Sequence, residues 1–390
     1  MQRAAQYPNR KSSRLESINQ LNLNEHLRIH STCGRKRFLP KTWVSLLLCL
    51  LYSCIEPYET DIAEGPQYLT IDGFISTESG PHEIRLTRGD TYGSIFQGLI
   101  RPEREATVII RDDLGNVTFL PEDLDNRGHY FTDANFQVEI GRTYTLQIQL
   151  NNGKVYTSFP EKVVPAPPIK NVLYRSVTIP VEGELNPDSG VQMLVEIDDP
   201  AEENNFYFFR NSESTYVLET RPDLYTTGPP NRTPAPKDCC YTCFRSELTG
   251  NQSIFIASDD NFNGLSTQIP VAFIPDNGLR FVNTYRMDLS QLSISQEAYR
   301  FLRLVKQQSE ISGSVFDPPP ANIRGNMISL EDPDEVILGY FIAAGETRER
   351  VYINGAQLDF RQPNAIIPDD CREVEDATLI PPPDWNPTGS

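Results

Sequence analysis

The thiol of Cys54 follows a short apolar segment, in an order of residues that is typical of covalent lipid attachment. Residues 43–51 are apolar, and they lie between a basic stretch at residues 35–41 and the small residue Ser53. The apolar segment is about half of the ~20 residues that a membrane-spanning helix needs, so the pattern indicates a cleaved secretory signal whose end resembles a bacterial lipobox. We therefore predict that residues 1–53 are a precursor and lipoprotein signal peptide, and that Cys54 becomes the lipidated first residue. Because residues 1–34 are foreign to such a signal, we expect translation to start near Leu39 instead.

Four cysteines remain after Cys54, namely Cys239, Cys240, Cys243 and Cys371. An even number of cysteines outside the cytoplasm favours two disulfides, with three possible connectivities. Because neighbouring cysteines rarely bridge each other, we expect one bond to join the 239–243 loop to Cys371, with the partner of Cys371 left open. The alternative is a four-thiolate metal site, for which the two-residue gap between Cys240 and Cys243 is suitable but the second half offers only Cys371.

A run of oxygen-bearing side chains at residues 259–264 resembles the start of a calcium loop. Asp259, Asn261 and Asn263 alternate along the chain and are followed by Gly264. The twelfth position of the loop, where a bidentate acid is expected, is Pro270, and no helix is predicted on either side. The same residue types make ordinary tight turns between strands. The sequence therefore leaves two interpretations, a structural turn or a structural calcium site, and predicts no other cofactor.

Catalytic signatures fail on inspection. His82-Glu83 begins like a zinc-protease motif, but Leu86 stands where the second histidine is required and the segment has the pattern of a strand. His82 and His129 are the only histidines after Cys54, and no Gly-x-Ser-x-Gly motif presents a serine. Paired carboxylates of a glycosidase cannot be chosen from the sequence. We therefore expect no enzyme activity.

The charge of the chain argues against a nucleic-acid partner. The whole chain has a net charge of −18, and the predicted precursor carries nine of its 35 basic residues and two of its 53 acidic residues, which leaves −25 for the remainder. A negative charge of this size repels the phosphate backbone of nucleic acids, whose binding needs clustered Lys and Arg.

The hydrophobic pattern predicts two β-rich domains. In residues 67–164, six runs rich in β-branched and aromatic residues are separated by turn signals, and Tyr144, Leu146, Ile148 and Leu150 alternate with polar residues. Turns at residues 113–116 and 151–153 predict hairpins. About a hundred residues of this kind make an antiparallel sandwich of the immunoglobulin-like type. An acidic tether at residues 54–66 precedes this domain, and a Pro-rich linker at residues 165–169 ends it.

Residues 170–362 form the predicted larger β-rich domain. Strand-like runs lie at residues 190–197, 205–210, 253–258, 269–274, 284–289, 336–343 and 349–353. Apolar residues recur at helical spacing over residues 295–311, with Ser295 as the expected N-cap. The four aromatic residues at 206–209 alternate between two faces of a strand, and we expect both faces to be buried. A Pro-rich tail at residues 363–390 is predicted to be irregular.

The order of these motifs resembles a group of Bacteroidetes outer-membrane lipoproteins of unknown function, often encoded beside TonB-dependent receptors. The resemblance runs from the signal to about Ile353. Its carriers are Cys54, the opening strand at residues 68–75, Gly128-His-Tyr130, Gly141-Arg-Thr-Tyr144-Thr-Leu146, the Asp199-Pro200 turn before Asn205-Phe-Tyr207, Cys240-Tyr-Thr-Cys243, Ile323-Arg-Gly-Asn326 and Val336-Ile-Leu-Gly-Tyr-Phe341.

This resemblance implies a lipid-anchored protein of the outer membrane, on the cell surface or the periplasmic face, that acts as a binding or assembly accessory of a TonB-dependent transporter. It implies no catalytic residues. Two other classes stay open: a secreted carbohydrate-active hydrolase on a β-sandwich scaffold, and a surface adhesin or structural lipoprotein.

Overall fold

Strands dominate the fold, and the predicted mainly β class is confirmed. The computed structural model describes residues 67–89, 101–180, 187–201, 203–220, 238–247, 254–310 and 323–387. These residues contain one α-helix, α1 (Gln296–Ser309), and nineteen strands. The first ten are β1 (Leu69–Ser76), β2 (Glu83–Arg88), β3 (Arg101–Pro102), β4 (Thr107–Asp112), β5 (Val117–Leu120), β6 (His129–Phe131), β7 (Thr143–Gln149), β8 (Val155–Ser158), β9 (Glu161–Lys162) and β10 (Ile169–Ile179). The others are β11 (Asp188–Asp198), β12 (Phe206–Glu219), β13 (Thr242–Glu247), β14 (Phe255–Ser258), β15 (Ser266–Pro275), β16 (Thr284–Ser293), β17 (Met327–Ser329), β18 (Ile337–Asn354) and β19 (Ala377–Thr378).

The first hydrophobic core lies between two sheets. A six-stranded sheet has the order β17-β8-β7-β4-β5, with β9 paired to β7. Its inward side chains form one buried cluster with those of β1, β2 and β6. Tyr144, Leu146, Ile148 and Leu150 are all buried, as their alternation predicted. Both predicted hairpins are present, because β4 pairs with β5 and β7 pairs with β8.

Strand β18 joins this core to the rest of the protein. Residues 337–344 pair in parallel with β1, from Leu69↔Ile337 to Ser76↔Ala344. Residues 345–354 pair antiparallel with β16. The large sheet that results has the order β19-β13-β12-β16-β18-β1-β2-β3, with β14 on β12 and β6 on β2, and it is strongly curled. A strand from the predicted second domain therefore completes the core of the first.

The second core lies between a three-stranded sheet and the curled sheet. The smaller sheet has the order β10-β11-β15. Its buried residues cluster with those of β12, β16 and the second half of β18. The sequence did not predict strand β10. None of its residues is fully buried, so its sequence lacks the regular alternation of apolar and polar residues that marks a half-buried strand.

Helix α1 covers another part of the curled sheet. Ser295 is its N-cap, as predicted, and the Ser295 hydroxyl accepts a hydrogen bond from the Ala298 N–H. Ala298 and Leu302 are buried against Tyr340 and Ile342 of β18. The described part of the chain contains no helix whose length and hydropathy would suit a bilayer crossing.

The aromatic residues at 206–209 line both faces of β12, as expected. Tyr207 and Phe209 are buried in the second core, whereas Phe206 and Phe208 are partly buried beneath α1. This placement accounts for all four rings by packing.

Two strands predicted at residues 336–343 and 349–353 are one continuous strand, β18. The polar residues between them resemble a turn in the sequence. In the structure, Glu346 accepts a hydrogen bond from the Ser76 hydroxyl and pairs with Arg348, whose Nε lies 2.6 Å away. One distant and one local partner thus satisfy the carboxylate inside the sheet, so the chain does not turn.

The close approach of β18 to β1 gives a first prediction. Gly339 has φ 86°, and a Cβ added there would lie 1.9 Å from the Ile71 carbonyl oxygen. We expect Gly339→Ala to lower the free energy of unfolding by about 3 kcal/mol or more, because both the backbone conformation and the space forbid a side chain. Gly115 is the matched control, since it has the same φ with nothing within 4 Å, and Gly115→Ala should cost only about 1 kcal/mol. Equal losses in urea unfolding would contradict the role of this contact.

Candidate functional site

The structure pairs the four cysteines that follow Cys54. Cys243 of β13 is bonded to Cys371, 128 residues away, and Cys239 is bonded to Cys240. The partner of Cys371, left open by the sequence, is thus Cys243. The expectation that neighbouring cysteines do not bridge is wrong for Cys239 and Cys240, where Cys240 takes a positive φ of 68° in a tight local turn. Because all four sulfurs are paired, the four-thiolate metal alternative is not formed. Cys54 lies outside the described residues.

The Cys243–Cys371 disulfide lies at the start of a segment that we call the C-terminal clasp, residues 371–387. Strand β19 of the clasp pairs with β13 at the edge of the curled sheet. Further along, the Trp385 ring lies 5.2 Å from the Phe244 ring and 5.5 Å from the Tyr352 ring. The Tyr352 hydroxyl donates to the Asp384 carbonyl and accepts from the Asn386 N–H, at 3.2 and 3.0 Å. The tail predicted to be irregular is therefore bound along the outer face of the sheet.

An arginine is buried under this clasp. Arg286 of β16 is 2% exposed, and its guanidinium donates to the Pro383 carbonyl at 3.4 Å. Its Cζ lies 5.9 Å from the centre of the Trp385 ring. The carboxylates of Glu213 and Asp288 are each 3.9 Å away. The clasp thus shields a cation that would otherwise face solvent.

Two carboxylates and a tyrosine are buried together where β11 leads into β12. Tyr207 and Asp259 are 0% exposed, and Asp199 is 6% exposed. The Tyr207 hydroxyl donates to Asp199 Oδ1 at 2.5 Å, and the Gly264 N–H donates to Asp199 Oδ2 at 3.0 Å. Burial, the bond to Asp199 and the charges of Asp199 and Asp259 raise the pKa of Tyr207, so the phenol stays protonated and acts as a donor.

The three predicted calcium ligands occupy different environments. Asp259 is fully buried, and its Oδ2 accepts from the Asn205 N–H at 2.8 Å. Asn261 and Asn263 are exposed, and the Asn263 amide donates to the Glu203 carbonyl at 3.4 Å. Asp199, 60 residues before Asp259 in the chain, binds the same turn through the Gly264 N–H, and the charges of both carboxylates act on Tyr207. Among the described residues, no three His, Cys, Asp or Glu side chains gather as a metal cluster.

A third buried polar group fixes the contact between β9 and β18. Glu161 is 3% exposed, and its Oε1 accepts from the Tyr340 hydroxyl at 2.7 Å and from the Asn326 amide at 3.2 Å. Within the described part of the chain, Glu161 Oε2 has no hydrogen-bond partner. Burial raises the pKa of Glu161 more than its hydrogen bonds with Tyr340, Ser295 and Asn326 lower it. The carboxyl therefore holds its proton to a higher pH than an exposed glutamate.

His82 and Glu83, considered above as a failed zinc motif, lie at the start of strand β2. His82 is 2% exposed, its N–H donates to the Thr132 hydroxyl at 2.8 Å, and burial lowers its pKa. The Glu83 carboxylate contacts His129 on β6, the neighbouring strand. Both histidines therefore take part in packing and pairing within the sheet.

Sequence reasoning missed Asp199 and the Trp385 contacts. Asp199-Pro200 was noted only as a turn, and the proximity of Asp199 to Asp259 depends on how β11, β12 and β15 pair. Trp385 is one of only two tryptophans in the chain, and its place in an otherwise Pro-rich tail was an available signal for docking.

A family model described as a domain of unknown function (DUF4249) matches residues 55–350. The matched segment includes the first hydrophobic core, most of the second, Asp199 and Asp259, and it ends before the C-terminal clasp. No curated protein matches the chain, and no solved structure does.

The long-range disulfide gives a second prediction. Joining residues 128 apart removes much conformational freedom from the unfolded chain, and loops of this size correspond to about 4–5 kcal/mol. We expect the double variant Cys243→Ala/Cys371→Ala to lose about that much free energy of unfolding. The control is Cys239→Ala/Cys240→Ala, which closes a ring of only two residues and should cost far less. A larger loss in the control, measured by urea unfolding, would contradict this assignment.

The buried carboxyl of Glu161 gives a third prediction, on pH. Because its folded pKa lies above the ordinary 4.5, the folded state binds the proton more tightly than the unfolded state. Stability from the protonated form is fully present below pH 4.5 and is lost as pH rises through the folded pKa. Glu161→Gln keeps an acceptor and carries no charge, so we expect its stability relative to wild type to increase across that window. Each pH unit between the two pKa values corresponds to about 1.4 kcal/mol.

Chemical denaturation between pH 4 and pH 8 measures this difference. Glu349→Gln, at an exposed position on β18, is the control and should leave the wild-type profile unchanged. A Glu161→Gln profile parallel to that of wild type would show that the Glu161 pKa is not raised.

Proposed function

We propose that this chain, which belongs to the family of the domain of unknown function DUF4249, is a lipid-anchored outer-membrane protein that binds or assembles with a TonB-dependent transporter. In this proposal the protein has no catalytic step, and its β-rich body is a binding surface held near the membrane by lipid on Cys54.

The observation that carries the proposal is the pairing of all four cysteines after Cys54. Disulfides of this kind persist in oxidising compartments such as the periplasm and the cell surface and are rare in the cytosol. The Cys243–Cys371 bond joins distant segments and secures the clasp, so it has a structural role. This supports export of the chain, which the signal-like segment before Cys54 independently predicts.

The position of the first strand supports an anchored body. Strand β1 begins at Leu69, fifteen residues after Cys54. The predicted tether of residues 54–66 would span at most roughly 45 Å if fully extended. The sandwich part of the protein would therefore lie close to the bilayer, within reach of the exposed face of a membrane transporter.

Exposed apolar side chains on the sandwich support a protein partner. Leu114 at the β4–β5 turn, Phe119 on the edge strand β5 and Leu124 in the following loop are 75%, 68% and 74% exposed. Strand β5 ends its sheet, so its outer backbone groups are also open to pairing. Large apolar side chains grouped on one edge are a feature of contact surfaces.

A pull-down from mildly solubilised outer membrane tests the proposal. We expect the wild-type chain, carrying an affinity tag, to recover a TonB-dependent transporter, and we expect metabolic labelling with palmitate to mark it. Cys54→Ser should abolish the label and release the chain from the membrane fraction. Phe119→Ser should keep the label and recover several-fold less transporter, because the apolar contact is lost.

Leu379→Ser is the matched control, because Leu379 is an apolar residue of the clasp that is 44% exposed. This variant should recover the transporter normally. An unlabelled wild-type chain in the cytosol would refute the anchor. A labelled chain that recovers no transporter but cleaves glycans would favour the hydrolase alternative.

A further inference from the structure

Two buried carboxylates near Tyr207 lack a cationic partner. Asp259 is 0% exposed and Asp199 is 6% exposed. Among the described residues, neither carboxylate forms an ion pair with a lysine, arginine or histidine. Removing ionised carboxylates from water without a counter-charge costs several kcal/mol per ion. A site with this composition therefore calls for a positive charge from outside the described chain.

One oxygen in this site has no hydrogen-bond partner among the residues that the structure describes. Asp259 Oδ2 accepts from the Asn205 N–H at 2.8 Å, whereas Asp259 Oδ1 is buried and accepts no hydrogen bond. Buried acceptors in folded proteins are nearly always satisfied. Asp199, by contrast, uses both oxygens, one with Tyr207 and one with Gly264. The unpartnered Oδ1 indicates a missing ligand at Asp259.

Several contacts hold the two carboxylates near each other. The Asn205 amide lies 3.2 Å from the Pro200 carbonyl and 3.4 Å from Asp259 Oδ2, so it bridges the turn after Asp199 to Asp259. At Gly264, an added Cβ would lie 2.8 Å from the Ala201 Cβ, which shows how closely the two turns pack. The charge of Asp259 also contributes to the raised pKa of Tyr207, the donor to Asp199.

The atoms available as ligands determine which class of cation fits the site. The groups beside the two carboxylates include the Pro200 and Glu203 carbonyls, both of which accept from the Asn205 amide. Oxygen donors without cysteine or histidine suit hard cations, and two carboxylates balance a charge of +2. Turn carbonyls of irregular geometry suit Ca²⁺ better than Mg²⁺, which demands near-octahedral coordination and retains its waters.

We propose that Asp199 and Asp259 bind a Ca²⁺ ion that ties the turn between β11 and β12 to the turn between β14 and β15. This ligand pair differs from the consecutive set Asp259, Asn261 and Asn263, because two of those three residues are exposed. The ion would supply the missing charge and the missing partner of Asp259 Oδ1 together.

Thermal unfolding of the mature chain tests the site. After removal of metal with a chelator, addition of Ca²⁺ at about 100 times its Kd should raise the Tm by about 5 °C. Asp259→Asn should abolish this rise, because a neutral amide is a far weaker ligand. In chelator, Asp259→Asn should melt no lower than wild type, since the amide oxygen still accepts from Asn205 and the uncompensated charge is gone.

The matched control is Asp260→Asn, because Asp260 is the exposed neighbour whose carboxylate accepts a hydrogen bond from the Ser258 hydroxyl. It should keep the full calcium response. Mg²⁺ at equal ionic strength should produce a smaller shift, which separates binding from charge screening.

Luminescence of Tb³⁺, which replaces Ca²⁺ at oxygen sites, gives a second measurement that does not depend on stability. Tyr207 is in contact with Asp199 and should transfer excitation to the bound ion. Asp259→Asn should abolish the sensitised emission, and Asp260→Asn should keep it. A wild-type Tm unaffected by Ca²⁺, or an equal rise in Asp259→Asn, would overturn the proposal.

Discussion

Continuous backbone hydrogen bonding through strand β18 is the constraint on which the rest of the structure depends. Its first half pairs in parallel with β1, and its second half pairs antiparallel with β16. Side chains on opposite faces of the first half enter the sandwich core and the layer under α1. Without this strand, β1 and β16 would each present an open edge and both cores would lose a wall. Parallel pairing also requires a long connection, which here includes most of the chain.

The buried polar groups follow from this arrangement. Where β18 passes the end of β1, Glu346 meets Ser76, and where it passes β9, Tyr340 donates to Glu161. Each buried carboxyl is costly unless its bonds are made, so these contacts specify one register and disfavour others. The Asp199 and Asp259 pair is different, because neither carboxylate forms an ion pair among the described residues. Glu346 is paired with Arg348, and the raised pKa of Glu161 favours its neutral form, so neither of these two carboxyls calls for a bound cation.

The outer face of the curled sheet is covered by a segment beyond the matched family region. The Cys243–Cys371 bond and the β13–β19 pairing fix the start of the clasp, and the Trp385 ring packs against Phe244 and Tyr352 near its end. The clasp thus protects an edge strand and a buried arginine. The sandwich edge at β5 has no such cover among the described residues, and its exposed apolar side chains support the placement of a protein partner there.

Local features were determined by the sequence alone. Alternation in residues 143–150, the turns at 113–116 and 151–153, and the Ser295 cap each depend on residues a few positions apart, so periodicity and turn chemistry predict them. The tertiary structure decided which cysteine bonds Cys371, that β18 continues through Glu346, and that Asp199 lies near Asp259. These contacts join residues from tens to hundreds of positions apart, and no local period encodes them. They exist because strand pairing across the sheet brings distant segments together and excludes the alternatives.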